Sequence, residues 1–185
     1  MVSLATGWRE VIGHEWAVRL LSNAIIHDRV GHAYLFTGLE HIGKSTLART
    51  FAQALNCEAG VEQRPCGECR ACRLTGSDRH PDVKIIEPDV NDRGVKSIKI
   101  DAVRQLQAEL SLSSYEGRHK VAILRRFDTA TLSAANAFLK TLEEPPGHVV
   151  LILTALDGDT LLPTIISRCR RVDLRQIPAE LIEET

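Results

Sequence analysis

Residues 38–46 read GLEHIGKST, and this stretch decides the fold class. It fits the spacing G-x-x-x-x-G-K-[ST], in which backbone N–H groups and a helix N-terminus hold phosphate oxygens. A short apolar run, AYLF at residues 33–36, precedes it, and a helical pattern starts at Lys44. The stretch therefore predicts a phosphate-binding loop between a buried strand and a helix.

The residues of this loop have expected roles in nucleotide binding. Those that match the pattern or continue it are Gly38, Gly43, Lys44, Ser45 and Thr46. Lys44 is expected to reach the β- and γ-phosphates, and Ser45 to ligate Mg²⁺. Glu40 and His41 stand where related loops often carry glycine or small residues, and an acidic Glu40 would oppose phosphate if it pointed inward. Two interpretations stay open: a loop that binds ATP and a loop kept only for the fold.

Apolar runs alternate with amphipathic patterns along the rest of the chain. Besides AYLF, the runs typical of strands are VKII at 83–86, KVAIL at 120–124, VVLILT at 149–154 and a run near 171–174. Helical patterns lie between them, including a short one at 161–167. Because strands that alternate with helices form parallel sheets, we predict an α/β fold with a mostly parallel five-stranded sheet. Asp101 is expected to cap a helix that starts at residue 102, and residues 87–97 to form a polar loop.

The composition is that of a globular domain without a strong preference for nucleic acid. The 185 residues carry a formal net charge of −1, so bulk electrostatics does not favour DNA. Aromatic residues make up 4%, which argues against an aromatic platform for bases. The apolar runs are of strand length and the start lacks a signal-peptide pattern. We therefore expect a cytoplasmic location and no membrane partner.

Four of the five cysteines are clustered with the spacing C-x8-C-x2-C-x2-C. They are Cys57, Cys66, Cys69 and Cys72. In the cytosol, cysteines are thiols or metal ligands rather than disulfides. Four thiolates can close a tetrahedral site around Zn²⁺, and a closed site has no position for a substrate. We predict a structural zinc site, and the alternative is four unrelated reduced cysteines.

Two later stretches make the chain resemble a known family. They are NAFLKTLEEPP at residues 136–146 and LPTIISRC at residues 162–169. Together with the phosphate loop and the inserted cysteine module, they resemble bacterial clamp-loader ATPase subunits of DNA polymerase III, which are of the AAA+ class. The resemblance runs from about residue 8 to about residue 177, nearly the whole chain.

The resemblance implies a domain organisation and a set of partners. Residues 1–175 are expected to form a three-layer AAA+ base domain with an inserted zinc module at about 57–72. Residues 176–185 are expected to begin a helical lid that is cut short. The implied partners are the gamma/tau motor subunits, the delta subunit and, through the complex, the sliding clamp and primed DNA. The chain alone is expected to be a monomer.

The resembling family has a motor type, gamma/tau, and a stator type, delta prime. In the motor, the strand before NALLKTLEEPP ends in Asp and Glu, which support Mg²⁺ and activate the attacking water. Here Arg125 and Arg126 stand at those positions, and cations can neither coordinate Mg²⁺ nor accept a proton. This departure favours a non-hydrolysing delta-prime type without ATPase activity of its own, with ATP and Mg²⁺ as candidate ligands. The alternative is an active gamma/tau-type motor in which Asp128, expected to point in a different direction, is a displaced Mg²⁺ ligand.

The SRC stretch carries the last implication of the resemblance. In the family, its arginine reaches the ATP site of a neighbouring subunit, so Arg168 is implied to be an arginine finger that acts in trans. The alternative is a surface salt bridge. Thr154 matches the family's sensor position and is expected to hydrogen-bond a phosphate or a water. Cys169 is expected to be a packed thiol, and Glu143 and Glu144 to face solvent or a neighbouring subunit.

Overall fold

Five parallel strands form one sheet at the centre of the molecule. The computed structural model describes residues 5–175. The described residues contain seven strands in all, and two of them lie outside this sheet. The seven are β1 (Ala33–Thr37), β2 (Val83–Ile86), β3 (Asp89–Val90), β4 (Lys96–Ser97), β5 (Lys120–Leu124), β6 (Val149–Ala155) and β7 (Arg170–Asp173). The order in the main sheet is β2-β5-β6-β1-β7, and every pairing in it is parallel. The predicted α/β fold with a five-stranded sheet is confirmed, while residues 176–185, for which the sequence predicts the start of a lid, lie outside the described residues.

Residues 5–175 contain six α-helices, of which the first precedes β1 and the other five lie between strands. They are α1 (Glu15–Ile26), α2 (Lys44–Asn56), α3 (Arg70–Gly76), α4 (Ile100–Ser111), α5 (Leu132–Glu143) and α6 (Pro163–Ile166). Short 3₁₀ helices lie at Thr6–Glu10, Val61–Gln63, Phe127–Thr129 and Gly158–Thr160. Helix α6 is shorter than the predicted segment at 161–167. Within the described part of the chain, every helix falls short of the length and apolarity that a membrane span needs.

The side chains of the sheet alternate between two buried layers. Tyr34 lies on the face covered by α1 and α2, and its ring meets that of Phe51 at a centroid distance of 5.0 Å. Leu35 lies on the opposite face with α4, α5 and α6, where the rings of Phe127 and Phe138 are 5.2 Å apart. The result is three layers. Strands covered on both faces read as continuous apolar runs, which is why AYLF and VVLILT are recognisable in the sequence.

The carboxyl ends of β1, β5 and β6 meet at one edge of the sheet. In register, Leu153 lies between Leu35 and Leu124, so the three strands end at nearly the same level. The phosphate loop follows β1, Arg125 follows β5, and Thr154 lies near the end of β6. Ligands of open parallel sheets bind at this edge.

The polar stretch at residues 87–97 is more than the predicted loop, because β3 and β4 form an antiparallel hairpin within it. The side chain of Asn91 accepts hydrogen bonds from the N–H groups of Arg93 and Val95, at 3.0 and 2.9 Å. Two-residue strands with exposed side chains leave no apolar pattern, so the sequence gives no sign of them. The hairpin brings Val90 and Lys96 to the cavity beside the phosphate loop.

Helix α4 begins two residues before its predicted start, and the predicted cap is wrong. Lys99 is the N-cap residue, with an extended backbone at φ −88° and ψ 159°, and Asp101 lies in the first turn. The preceding residue, Ile98, is buried and exchanges backbone hydrogen bonds with Thr129 and Thr131. This tertiary pairing fixes where the chain enters the helix. The carboxylate of Asp101 still favours the helix through its dipole.

Candidate functional site

The phosphate loop joins β1 to α2 and needs glycine near both of its ends. Gly38 has a φ of 143°, and a Cβ atom there would lie 2.7 Å from the carbonyl oxygen of Leu174. Gly43 has a φ of 101° and is the N-cap residue of α2. Side chains are disfavoured at both positions, so the loop has the backbone that its sequence pattern predicts.

A cavity of about 710 Å³ lies beside this loop, at the carboxyl edge of the sheet. Five of the six residues predicted to bind nucleotide line it: Gly43, Lys44, Ser45, Thr46 and Thr154. The sixth, Gly38, shapes the loop behind the lining. Four further lining residues that no sequence motif predicts are Glu87, Pro88, Val90 and Lys96. They come from the segment after β2 and from the hairpin, whose position no motif signals.

Lys44 is held inside the loop. Its side chain donates hydrogen bonds to the carbonyl oxygens of Gly38 and Leu39, at 2.6 and 2.5 Å, and the residue is 7% exposed. Burial, and next the charge of Arg126, lower the pKa of Lys44, while nearby carboxylates oppose this shift. The lysine and Arg126 therefore lie close enough for their charges to interact across the cavity.

The backbone of Arg126 is fixed on both sides at the end of β5. Its φ of 52° and ψ of 48° place it in the left-handed region, which is strained for a residue other than glycine. Its N–H donates to the hydroxyl of Thr154 at 3.0 Å, and its carbonyl oxygen accepts from the hydroxyl of Thr129 at 2.7 Å. The predicted sensor residue Thr154 thus contacts Arg126 directly.

The guanidinium of Arg126 joins two carboxylates. Its Nη1 lies 2.5 Å from Glu40 Oε1, and its Nε and Nη2 lie 3.1 to 3.2 Å from the carboxylate of Asp128. The side chain of Asp128 is 9% exposed, so this pair is largely shielded from water. Asp128 therefore packs against Arg126 and is not among the described residues that line the cavity. The left-handed backbone of Arg126 turns the chain back after β5.

Arg125 lies at the same edge and pairs with Glu87. Its side chain is 20% exposed. Arg125 and Arg126 both line the cavity, at the end of the strand beside β6. The two arginines therefore lie at the end of β5, as their place in the sequence predicts, and their charged groups pair with those of Glu87, Glu40 and Asp128.

The four clustered cysteines converge on one point. Their sulfur atoms all lie within 4.8 Å of one another, and those of Cys57 and Cys69 are 3.9 Å apart. Zinc–sulfur bonds of about 2.3 Å in a tetrahedron place sulfurs about 3.8 Å apart. The donor set therefore fits a zinc ion of the closed, structural kind.

Backbone amides support the sulfur atoms of this cluster. The N–H groups of Cys66, Cys69 and Cys72 donate to the sulfurs of Cys57, Cys66 and Cys69, at 3.3, 3.3 and 3.4 Å. Burial raises the pKa of the Cys66 thiol, but the N–H groups of Cys69 and Glu68 outweigh it and lower this pKa to about 7. Amides that point at sulfur stabilise thiolates, which are the form that binds metal.

Arg168 lies after α6, on a different part of the surface. Its Nη1 donates to the carbonyl oxygen of Thr164 at 2.8 Å, and its Nη2 lies 2.8 Å from Glu143 Oε1. Arg168 is not among the described residues that line the cavity beside the phosphate loop. The neighbouring Cys169 packs against the apolar layer, and burial raises its thiol pKa to about 12. Arg168 is therefore not placed to act on the phosphate loop of its own chain.

A parallel sheet in this order, with a glycine-flanked phosphate loop and a cavity at its carboxyl edge, defines a P-loop domain of the AAA+ class. Residues 13–178 of the sequence match the family described as DNA polymerase III, delta subunit. The match covers most of the chain, so the chain belongs to this family. The resemblance to DNA polymerase III subunits is therefore confirmed.

Relatives of two subunit types are about equally similar to the chain. It is 37% identical over 183 residues to DNA polymerase III subunit delta' of Bacillus subtilis, covering 98% of this chain and 54% of the relative. It is also 37% identical over 184 residues to subunit tau of Escherichia coli, covering 97% of this chain and 28% of the relative. The chain thus spans about half or less of these relatives. Sequence identity alone does not separate the two types.

Solved structures share the fold. A DNA polymerase III gamma subunit-related protein of Thermotoga maritima is 27% identical, with a TM-score of 0.66 over 89% of this chain and 47% of that one. The RuvB Holliday junction branch migration motor of Thermotoga maritima is 15% identical, with a TM-score of 0.61 over 98% of this chain and 51% of that one. The second likeness concerns the fold alone.

Proposed function

We propose that this chain is the N-terminal part of a non-hydrolysing, stator-like clamp-loader subunit of the delta-prime type. The observation that carries the proposal is the presence of Arg125 and Arg126 at the end of β5, in the cavity beside the phosphate loop. Hydrolysis needs a carboxylate that activates water and another that supports Mg²⁺. Both carboxylates nearest to Arg126, those of Glu40 and Asp128, are already bound by it.

The phosphate loop is proposed to bind nucleotide without turning it over. The supporting features are its glycine-flanked backbone, the buried Lys44 and a cavity of about 710 Å³, which falls in the size range of small-molecule sites. The residues proposed to hold the nucleotide are Gly38, Gly43, Lys44, Ser45, Thr46 and Thr154. No ATPase activity is expected of the subunit alone.

Arg168 is proposed to serve the ATP site of a neighbouring subunit as an arginine finger. It is partly exposed, at 35% of its side-chain surface, and it lies apart from the cavity of its own chain. A guanidinium is always charged and its planar fork matches phosphate oxygens. A finger that acts in trans needs an accessible position and a permanent charge, and Arg168 has both.

The cysteine cluster is proposed to hold one structural Zn²⁺. Its four ligands would be Cys57, Cys66, Cys69 and Cys72. The sulfur distances support this proposal, and so does the packing of the module on the base domain. Gln53 of α2 donates to the carbonyl oxygen of Cys72 at 3.0 Å, and Arg118 donates to that of Cys57 at 2.9 Å.

The proposed organisation is the one that the resemblance to clamp-loader subunits implies. Residues 1–175 would form the base domain and residues 176–185 the start of a lid, with further domains in the whole subunit. The proposed partners are the gamma/tau and delta subunits, and the complex would act on the sliding clamp and primed DNA. The base domain alone would be a monomer, because the remaining domains would hold the assembly together.

An active gamma/tau-type motor is the second candidate. It is favoured by the 37% identity to subunit tau of Escherichia coli and by the nearness of Asp128 to the site. Against it, Asp128 makes three contacts with Arg126, and a carboxylate neutralised in this way is a poor ligand for Mg²⁺.

Reconstitution tests the proposed place in the complex. The full-length subunit is mixed with gamma/tau and delta subunits, and assembly is followed by size-exclusion chromatography. Loading of the clamp onto primed DNA is then measured with and without the subunit. The proposal predicts a stable complex and loading that depends on the subunit. A subunit that elutes apart from the others, and that loading does not need, would contradict it.

A further inference from the structure

Cations dominate the cavity beside the phosphate loop. Four side chains that line it are positive, and they are Lys44, Lys96, Arg125 and Arg126. Two that line it are negative, Glu40 and Glu87, and these are exposed over 58% and 59% of their side-chain surface. Exposed carboxylates are well solvated and weaken the cationic field little. Asp128 pairs with Arg126 and adds a third carboxylate, so the four cations still outnumber the carboxylates where a nucleotide would bring negative charge.

The residues of the cavity do not fit the Mg²⁺ ion that usually accompanies a nucleotide in this fold. Mg²⁺ demands a near-octahedral set of oxygen ligands and keeps to carboxylates, hydroxyls and water. Ser45, Thr46 and Thr154 bring hydroxyls to the cavity. Its two carboxylates, those of Glu40 and Glu87, are paired with Arg126 and Arg125, which stand at the strand end that should add acidic ligands. Asp128 is bound through both of its oxygens by Arg126. A guanidinium in this place repels a second cation.

Arg126 is held in a way that suits an ion-binding group. Its backbone N–H and carbonyl oxygen are fixed by Thr154 and Thr129, and Asp128 holds the Nε and Nη2 edge of its guanidinium. This leaves Nη1, which contacts the exposed Glu40 of the phosphate loop. The charge is thus positioned before any ligand arrives, so little order has to be gained on binding.

We propose that this phosphate loop binds nucleoside triphosphates without Mg²⁺, and that Arg126 supplies the positive charge that the ion supplies elsewhere. The proposal rests on the proposed binding of nucleotide by the loop. A phosphate oxygen replaces the Glu40 carboxylate at Nη1, because an exposed ion pair is weak and an arginine–phosphate contact is strong. Asp128 keeps the guanidinium in place during this exchange.

Titration calorimetry of the full-length protein with ATP tests the proposal. The protein is desalted into a metal-depleted buffer without chelator, its zinc content is measured to check the cysteine module, and ATP is added with or without Mg²⁺. The expected dissociation constants agree within about threefold. A dissociation constant more than about tenfold weaker without Mg²⁺ would overturn the proposal, and the binding of ATP by the loop would still stand.

Two outcomes separate the proposal from the binding on which it rests. If ATP binds in the buffer with Mg²⁺ but not in the buffer without it, the loop still binds nucleotide and only the claim that binding is independent of Mg²⁺ is overturned. No binding in either buffer removes both the nucleotide-binding loop and this inference. A Lys44→Ala variant, which removes the loop cation, is expected to abolish binding in both buffers and so shows that the measured heat comes from this loop.

The variant Arg126→Asn tests the residue itself. Asparagine tolerates the left-handed backbone, so the turn after β5 is kept while the cation is lost. We expect binding without Mg²⁺ to weaken at least about tenfold, and Mg²⁺ to restore part of it, because Glu40 and Asp128 become free to act as ligands. Unchanged binding without Mg²⁺ would overturn the role of Arg126.

Two further variants keep this test decisive. Arg104→Ala removes an exposed arginine of α4 that is not among the lining residues, and is expected to bind ATP as the parent does. If Arg126→Asn unfolds because Asp128 loses its partner, the double variant Arg126→Asn, Asp128→Asn removes both charges. It should fold and lose binding in the Mg²⁺-free buffer, with less recovery by Mg²⁺ than the single variant. Parent-like binding by the double variant would overturn the proposal.

Discussion

The guanidinium of Arg168 lies 2.8 Å from the carboxylate of Glu143, which joins the residue after α6 to the end of α5. The side chains are 35% and 50% exposed, so water screens the pair and its contribution to stability is small. The pair holds Arg168 at the surface, apart from the cavity of its own chain. An exposed pair of this kind separates at little cost, as the proposed role of Arg168 as an arginine finger requires.

Arg168→Ala in the full-length subunit is predicted to slow ATP hydrolysis by the assembled complex. The ATP site that receives the finger should lose on the order of 10³-fold in rate, because no other group supplies its charge. The total rate of ATP hydrolysis by the complex should fall by the fraction that this one site contributes. Steady-state hydrolysis by the reconstituted complex measures this, and an unchanged rate would remove the assignment.

Two matched variants distinguish a finger from a structural arginine. Arg104→Ala, on the exposed face of α4, should leave the rate of the complex as it is. Glu143→Gln breaks the ion pair but keeps the arginine, so it should slow hydrolysis less than about threefold. If Glu143→Gln slows ATP hydrolysis by the complex as much as Arg168→Ala does, the ion pair has a structural role and Arg168 is not shown to be an arginine finger.

The cysteine cluster is predicted to carry about one equivalent of zinc per purified chain. Cys69→Ser should lower the zinc content well below half an equivalent, since three thiolates no longer close the site. Atomic absorption on freshly purified protein gives the content. Less than about half an equivalent in the parent chain would contradict the zinc site.

Cys169→Ser is the control for this experiment. Its thiol packs against the apolar layer on the far face of the sheet and lies outside the cluster. The variant should therefore keep its zinc. It also shows whether the loss of any thiol lowers the metal content through unfolding.

Asp82 is predicted to stabilise the domain through three backbone amides. The residue is 4% exposed, and its carboxylate accepts the N–H groups of Tyr115, Glu116 and Gly117 at 2.7, 2.8 and 2.6 Å. Asp82→Asn replaces one acceptor oxygen by a donor, so the free energy of unfolding at pH 7 should fall by about 1.5–3 kcal/mol. Chemical denaturation measures it.

This loss should depend on pH. Burial alone would raise the pKa of Asp82, but the amides of Glu116, Tyr115 and Gly117 outweigh burial and hold it below its ordinary value. The contribution is therefore present above the unfolded pKa of about 3.9 and is lost as pH falls through the lower folded pKa. The difference between Asp82→Asn and the parent should shrink in that window, whereas Asp92→Asn, an exposed control, should change stability little. A difference that stays constant down to the acid limit of folding would contradict the role of the amides.

The main sheet and the position of the two arginines could be predicted from the sequence. Strands buried on both faces read as unbroken apolar runs, and parallel strands that follow one another bring their carboxyl ends together. Arg125 and Arg126 follow such a strand, so their place beside the phosphate loop is fixed by the topology. The cysteine spacing likewise restricts where the four sulfurs can meet.

The remaining features depend on tertiary contacts that no local pattern records. The left-handed turn at Arg126 reverses the chain, so the alternation along β5 does not tell where Asp128 points. Lys96 reaches the cavity only because a hairpin of two-residue strands forms. Glu143, expected to face solvent or a neighbour, is half-exposed but pairs with Arg168 of the same chain.

A single-turnover experiment tests most directly whether the subunit hydrolyses ATP. The full-length protein is incubated with a substoichiometric amount of labelled ATP and with Mg²⁺, separated from free nucleotide, and the bound label is identified by chromatography. Since Arg125 and Arg126 are proposed to stand where a hydrolysing subunit has its acids, the bound label is predicted to be intact ATP. Release of ADP and phosphate at a catalytic rate would contradict the stator assignment and favour an active motor subunit.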